Sequence, residues 1–193
     1  MSLALAIKNA TSIVVGTDVD TAEDTGEPYG QFVVLANRSV LLITGNTEAI
    51  RAPIIEVLSK VDPKMACSTV AQLIQAELTV QVVPELPNMK GRVEIIVAGF
   101  NPIRHREEPE LFYMDSAADF YLAAVPGDSI AAGSTAAVSR VLAGHSFAQS
   151  NTHHLRVLAK ECLSATKLRW PAAVKNHVRL AVLTAGAVES ETY

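Results

Sequence analysis

Ser2 and Asp18 are the residues whose types and spacing best suit chemistry in this chain. A small second residue favours removal of Met1, which leaves Ser2 carrying a free α-amine beside its hydroxyl. An α-amine titrates near pH 8, so it can take the hydroxyl proton close to neutral pH and make an acylating nucleophile. Asp18 follows sixteen residues later and offers a carboxylate to the same locus.

Two short apolar runs must position this pair. Leu3 to Ile7 is uninterrupted, Lys8-Asn9-Ala10-Thr11 reads as a turn, and Ser12 to Thr17 is rich in Ile and Val. The pattern predicts a hairpin covered on both faces, with Ser2 at its head and Asp18 at its end. Asp20 to Gly30 is polar and broken by Gly26, Pro28 and Gly30, so it reads as a surface loop whose acidic residues are solvated.

Strands are expected over Phe32 to Ala36 and Val40 to Thr44, joined by a turn at Asn37-Arg38-Ser39. Ile50, Ile54, Val57 and Leu58 then recur at helical spacing, with Pro53 either kinking that helix or marking its start. Asp62-Pro63 is expected to cap a second helix carrying Ala66, Val70, Leu73 and Ile74 inward. Val82 to Gly91 connects layers. Arg92 to Phe100 is a strand, and Pro102 to Pro109 is a charged hairpin loop with Arg104 to Glu108 at its tip. Glu110 to Asp115, Asp119 to Ala124 and Ser129 to Ala132 are expected to complete that sheet. Gly133-Ser134 opens a helix to about Leu142, a long helix follows from Thr152 to Arg169, Pro171 stops it, and His177 to Leu183 is the last strand.

Strands, two helices, strands, two helices and a final strand predict an α+β fold, a four-layer αββα sandwich of two stacked antiparallel sheets. Its 193 residues are read as a single domain, 1–193, burying roughly 70% of the surface of the unfolded chain. Apolar residues make up 49% and charged residues 19%, which fits a packed core. A net charge of -4 argues against a nucleic-acid partner. No apolar run nears the ~20 residues that cross a bilayer, and no secretory signal is read, so a cytoplasmic location is expected. Cys67 and Cys162 are read as buried reduced thiols. His153 and His154 are adjacent and cannot face one another on a helix, while His105, His145 and His177 look isolated. Neither a metal site nor a cofactor is expected.

Several segments resemble proteasome β-type subunits, of the N-terminal-nucleophile (Ntn) hydrolase superfamily, in order and spacing. Ser2 stands where that family has its nucleophile, usually Thr, and Asp18 where it has its catalytic Asp. Val40 to Gly45 resembles the strand ending in the glycine whose N–H forms the oxyanion hole. Ile95 to Phe100 and Leu111-Phe112-Tyr113-Met114-Asp115 resemble the family's paired strands. Ala132-Gly133-Ser134 resembles the turn before its third helix, and Ser134 matches a supporting residue. The segment Leu168-Arg169-Trp170-Pro171 is similar to non-catalytic ring subunits. The resemblance implies an Ntn fold, assembly into a homo-oligomeric ring or with other proteasome-like subunits, and peptide as the possible substrate.

Two positions depart from the family pattern. Its catalytic lysine should fall at or near Val34, yet no Lys occurs from Asn9 to Ser59. The Asp and Ser that support the amine in active members are missing from Pro171 to Asn176. The expectation is therefore a ring subunit whose site is inactive or strongly impaired, with Asp18 organising the hairpin through backbone N–H bonds. The alternative is a hydrolase or amide-bond transferase with Ser2 as nucleophile and an unusual base. If active, it is an N-terminal serine peptidase or amidohydrolase.

Overall fold

A computed structural model describes residues 2–19, 31–101, 107–171 and 177–192. The described residues form two antiparallel five-stranded sheets and four α-helices, an α+β structure. The expected loop Asp20 to Gly30 and the tip residues Arg104 to Arg106 lie outside the described residues.

The first sheet is built on the hairpin of β1 (Leu3–Lys8) and β2 (Ser12–Val19), with Ala4 opposite Thr17. β1 then pairs with β8 (Ser129–Gly133), and β2 with β9 (His177–Thr184). The second sheet runs in the order β3 (Phe32–Val34), β4 (Val40–Gly45), β5 (Val93–Phe100), β6 (Pro109–Asp115) and β7 (Ala123–Ala124).

Alternation along the strands sorts their side chains into three apolar clusters. Leu3, Leu5 and Ile7 pack with Leu155, Leu158, Cys162 and Leu163 of α4 (Thr152–Arg169). Ala4 and Ala6, on the opposite face, meet Val40, Leu42, Ile96 and Ala98 of the second sheet. Leu41, Ile43, Ile95 and Val97 turn away from that interface, toward Ile54 and Val57 of α1 (Arg51–Lys60) and Val70, Ile74 and Leu78 of α2 (Cys67–Gln81). Gly16 lies where α4 packs on the first sheet, and a Cβ there would press on the ends of the Leu163 and Leu180 side chains, which would have to shift.

Several expectations need correction. Ser129 to Ala132 does not complete the second sheet; as β8 it crosses to the first and pairs with β1. Asp119 to Ala124 is mostly a turn, because Asp119 and Phe120 take φ of 52° and 55°, and only Ala123–Ala124 is strand. The buried Phe120 ring holds that left-handed backbone in place. Asp62-Pro63 caps no helix: Asp62 accepts the Lys64 N–H at 2.8 Å in a turn, and α2 starts at Cys67. His177 to Leu183 is not the last strand, since β10 (Ala187–Thr192) folds back on it.

Smaller questions are settled locally. Pro53 lies in the first turn of α1, where its missing N–H costs no helical bond. Asn151 caps α4 by accepting the His154 N–H at 2.8 Å, and α4 spans the expected Thr152 to Arg169. The short α3 (Val138–Leu142) precedes it. Both cysteines are free and buried, and burial pushes each thiol up to about 12. His145 is not isolated; its ring lies 5.7 Å from that of His154 and 6.3 Å from that of Phe147.

Candidate active site

The β1–β2 register carries Ser2 to the open end of the first sheet, where the second sheet comes up beside it. Ser2 is buried there. Its carbonyl accepts the Ser134 N–H at 3.2 Å, and Leu3 pairs with Gly133. Gly133 has φ +80°, and a Cβ at this position would collide with the Ser2 carbonyl oxygen. Only glycine lets the turn after β8 approach so closely.

Across the gap, the Gly45 N–H donates to Ser2 Oγ at 3.4 Å, a long contact at the end of β4. Gly45 has φ +91°. What demands glycine is the start of β5, because a Cβ would strike the Arg92 carbonyl oxygen. The same oxygen accepts the Asn46 N–H at 3.2 Å, which fixes the bend that aims Gly45 at Ser2.

Asp18 is fully buried, and its Oδ1 accepts the Leu3 N–H at 2.6 Å. The neighbouring Thr17 hydroxyl donates to the Leu3 carbonyl at 2.8 Å. Two consecutive side chains of β2 thus grip both backbone groups of the residue after Ser2. This is how a carboxylate organises a strand head, and a buried carboxylate needs such donors. The four residues singled out in the sequence, Ser2, Asp18, Gly45 and Ser134, therefore meet at one end of the sheets. Ser134 contributes its backbone N–H there. Val34 is 45% exposed on the edge strand β3.

A cavity of about 690 Å³ opens beside Ser2, lined also by Gln31, Thr44, Gly45, Arg92 and Glu94. Gln31 Oε1 and Thr44 Oγ1 are buried without a hydrogen-bond partner. Glu94 lies opposite Thr44 in register, and its carboxylate spans the gap between the sheets. One oxygen accepts the Gly133 N–H at 2.8 Å; the other accepts the Tyr113 hydroxyl at 2.6 Å and stands 3.3 Å from the Arg92 guanidinium. Arg92 holds Asp115 through Nε at 2.9 Å and, more closely still, through Nη2. Burial works to raise the Asp115 carboxyl, but Arg92, the Ala117 N–H and Tyr113 outweigh it and hold it below its ordinary range. Burial and the adjoining Glu94 push the Tyr113 phenol upward, so it stays a donor.

Glu94, Arg92 and Tyr113 were missed in the sequence. A signal was present: Glu94 interrupts the apolar run Val93 to Phe100, on the face that carries Ile96 and Ala98 into the space between the sheets. Among the described residues no group of three His, Cys, Asp or Glu could hold a metal ion, and no helix is long and apolar enough to cross a membrane. Neither the protein-family models nor the curated proteins contain a match to this sequence.

Proposed function

We propose that this chain is a proteasome-like β-type subunit with the αββα Ntn-hydrolase fold, assembling into a ring, and that its own Ser2 site is strongly impaired. The observation that carries the reading is the convergence on Ser2 of three segments distant in sequence. Gly45 approaches its hydroxyl, Ser134 holds its carbonyl, and Asp18 grips the next residue. The family resemblance places its nucleophile, oxyanion glycine, supporting serine and catalytic aspartate at these positions.

An N-terminal nucleophile attacks a carbonyl only if its amine, or a water held by that amine, removes the hydroxyl proton. The proton then passes to the leaving nitrogen. The amine must be neutral when attack begins. The family's lysine offsets the aspartate charge, and here its place is held by the exposed, apolar Val34. A carboxylate charge left unbalanced near the amine would favour the protonated form, which cannot act as base. Losing general-base help costs on the order of 10²–10⁴ in rate.

One observation favours the alternative, a Ser2 hydrolase or amide-bond transferase: the Gly45 N–H points at the nucleophile within a cavity large enough for a peptide side chain. Size-exclusion with light scattering should give a mass several-fold above 20.6 kDa, since a repeated heterologous contact closes into a ring or grows. A panel of fluorogenic peptides should show negligible turnover. A monomer at micromolar concentration would sink the ring, and turnover abolished in Ser2→Ala would establish the alternative.

A further inference from the structure

We infer that His145 and His154 form a two-histidine site for a divalent transition-metal ion of the zinc or copper type, near the turn end of the β1–β2 hairpin.

The two residues come from different segments, which the fold pins side by side. His145 follows α3, and its N–H donates to the Leu142 carbonyl at 3.2 Å. Two residues on, the buried Phe147 anchors this segment in the apolar cluster that also holds Leu155 and Leu158 of α4. His154 lies in the first turn of α4, where Asn151 Oδ1 accepts its N–H at 2.8 Å. The hairpin turn secures the link between them. Asn9 Nδ2 donates to the Ser150 carbonyl at 2.8 Å, and the Ser12 and Thr152 hydroxyls stand 2.9 Å apart. Both backbones are therefore held in place, while both histidines are exposed.

Ring geometry is the first argument. The two imidazole centroids are 5.7 Å apart with their planes inclined at 48°, and the His145 ring stacks on Phe147 at 6.3 Å. An imidazole nitrogen binds zinc at about 2.0–2.1 Å, so two rings sharing one ion hold their centroids about 5–6 Å apart. The observed spacing lies in that range. Closing on an ion asks for side-chain rotation and no shift of the backbone.

Free lone pairs are the second argument. Among the described residues neither imidazole makes a hydrogen bond or an ion pair, so each neutral ring keeps a nitrogen lone pair for an ion. The oxygen donors alongside are engaged: Asn151 Oδ1 accepts the His154 N–H, and Ser150 Oγ donates to the Ser146 carbonyl at 3.0 Å. A pair of imidazoles without carboxylates suits zinc, copper or nickel, whereas magnesium and calcium require oxygen ligands. Among the described residues no third His, Cys, Asp or Glu completes the group. Water fills the remaining positions, and the positive end of α4 opposes a cation at His154, so the affinity is moderate.

The test is calorimetric titration of zinc chloride into tag-free, metal-stripped protein in its assembled state near neutral pH. One ion per chain should bind with a micromolar dissociation constant, and magnesium chloride should not bind. His145→Ala and His154→Ala should each weaken zinc by at least about tenfold. His153→Ala, whose ring points elsewhere on α4, should change it by less than about twofold. Melting curves without metal establish that each variant is folded. If one is not, histidine modification by diethylpyrocarbonate decides on the parent: zinc must protect His145 and His154 and leave His153 reactive. Four results would each overturn the inference: no zinc binding below the millimolar range, magnesium binding as tightly, binding unchanged in a folded His145→Ala or His154→Ala, or zinc that protects neither ring. None of these measurements involves Ser2 or the mass of the assembly, so their outcome is separate from that of the proposed function.

Discussion

The two ends of the β1–β2 hairpin solve the same problem differently. At the turn end Asn9 does nearly all the work: its Oδ1 accepts from the Thr11 N–H at 2.9 Å, the Ser12 N–H at 2.7 Å and the Ser12 hydroxyl at 3.0 Å. Its Nδ2 reaches the Ser150 carbonyl at 2.8 Å, which ties the turn to the segment before α4. The Oδ1 partners are close in sequence, and one long-range bond to Ser150 closes the end. At the Ser2 end the partners come from β4, β5, β8 and β2, two of them glycines at positive φ. That end keeps a cavity, and two buried polar atoms there have no partner. Stability alone would have filled the space. Among the described residues, this is the end at which a ligand would be sought.

The largest expected effect lies at the open end. Gly45→Val should cost at least ~2 kcal/mol, since a β-branched residue is strained at φ +91° and its Cβ strikes the Arg92 carbonyl. Denaturant unfolding checks this, and an unchanged midpoint would show that β4 and β5 do not meet there. Asn9→Ala should follow at about 1–3 kcal/mol, because it leaves the Ser12 N–H unpaired in a buried turn. The two variants separate the ends: Asn9→Ala should leave peptide binding unaltered, whereas a surviving fraction of Gly45→Val should have lost it. If both lose binding equally, the contrast between the ends is false.

Acid sharpens the contrast further. Asp115 has a folded pKa below its unfolded value near 3.9. Its stabilising contribution is present above that value and is lost as the pH falls through the depressed folded pKa. Arg92→Gln removes the largest lowering influence, so its melting temperature should lie below the parent's near neutral pH, and the gap should narrow as the pH falls below about 4. Equal melting temperatures near neutral pH would show that the Arg92–Asp115 pair adds nothing. The smallest effect concerns Cys67 and Cys162. Buried thiols pushed up to about 12 should resist alkylation in the native protein and react only on unfolding. Rapid native labelling would mean that one of the helix layers opens.

Local pattern made much of this legible. The hairpin, β4, β5, β6 and α4 announce themselves through apolar runs and periodicity, and Pro171 marks the end of α4. What was not legible is what pattern does not encode. Alternation in Ser129 to Gly133 says strand, but nothing in it says which sheet accepts it. β10 is a polar edge strand, Ala-Val-Glu-Ser-Glu-Thr, and lacks the apolar signal that marks its partner β9. The site divides in the same way. Ser2, Asp18, Gly45 and Ser134 were singled out because each sits near an element boundary in an order that resembles the proteasome β-type subunits, and they do lie together at one end of the sheets. Glu94 and Arg92 were missed because their role exists only once β5 stands beside the turn after β8.

The most direct test of the central claim is native mass spectrometry of the purified protein after incubation with a β-lactone probe. The account predicts an assembly several-fold above 20.6 kDa with no covalent adduct on Ser2. A monomer, or one adduct per chain that disappears in Ser2→Ala, would contradict it.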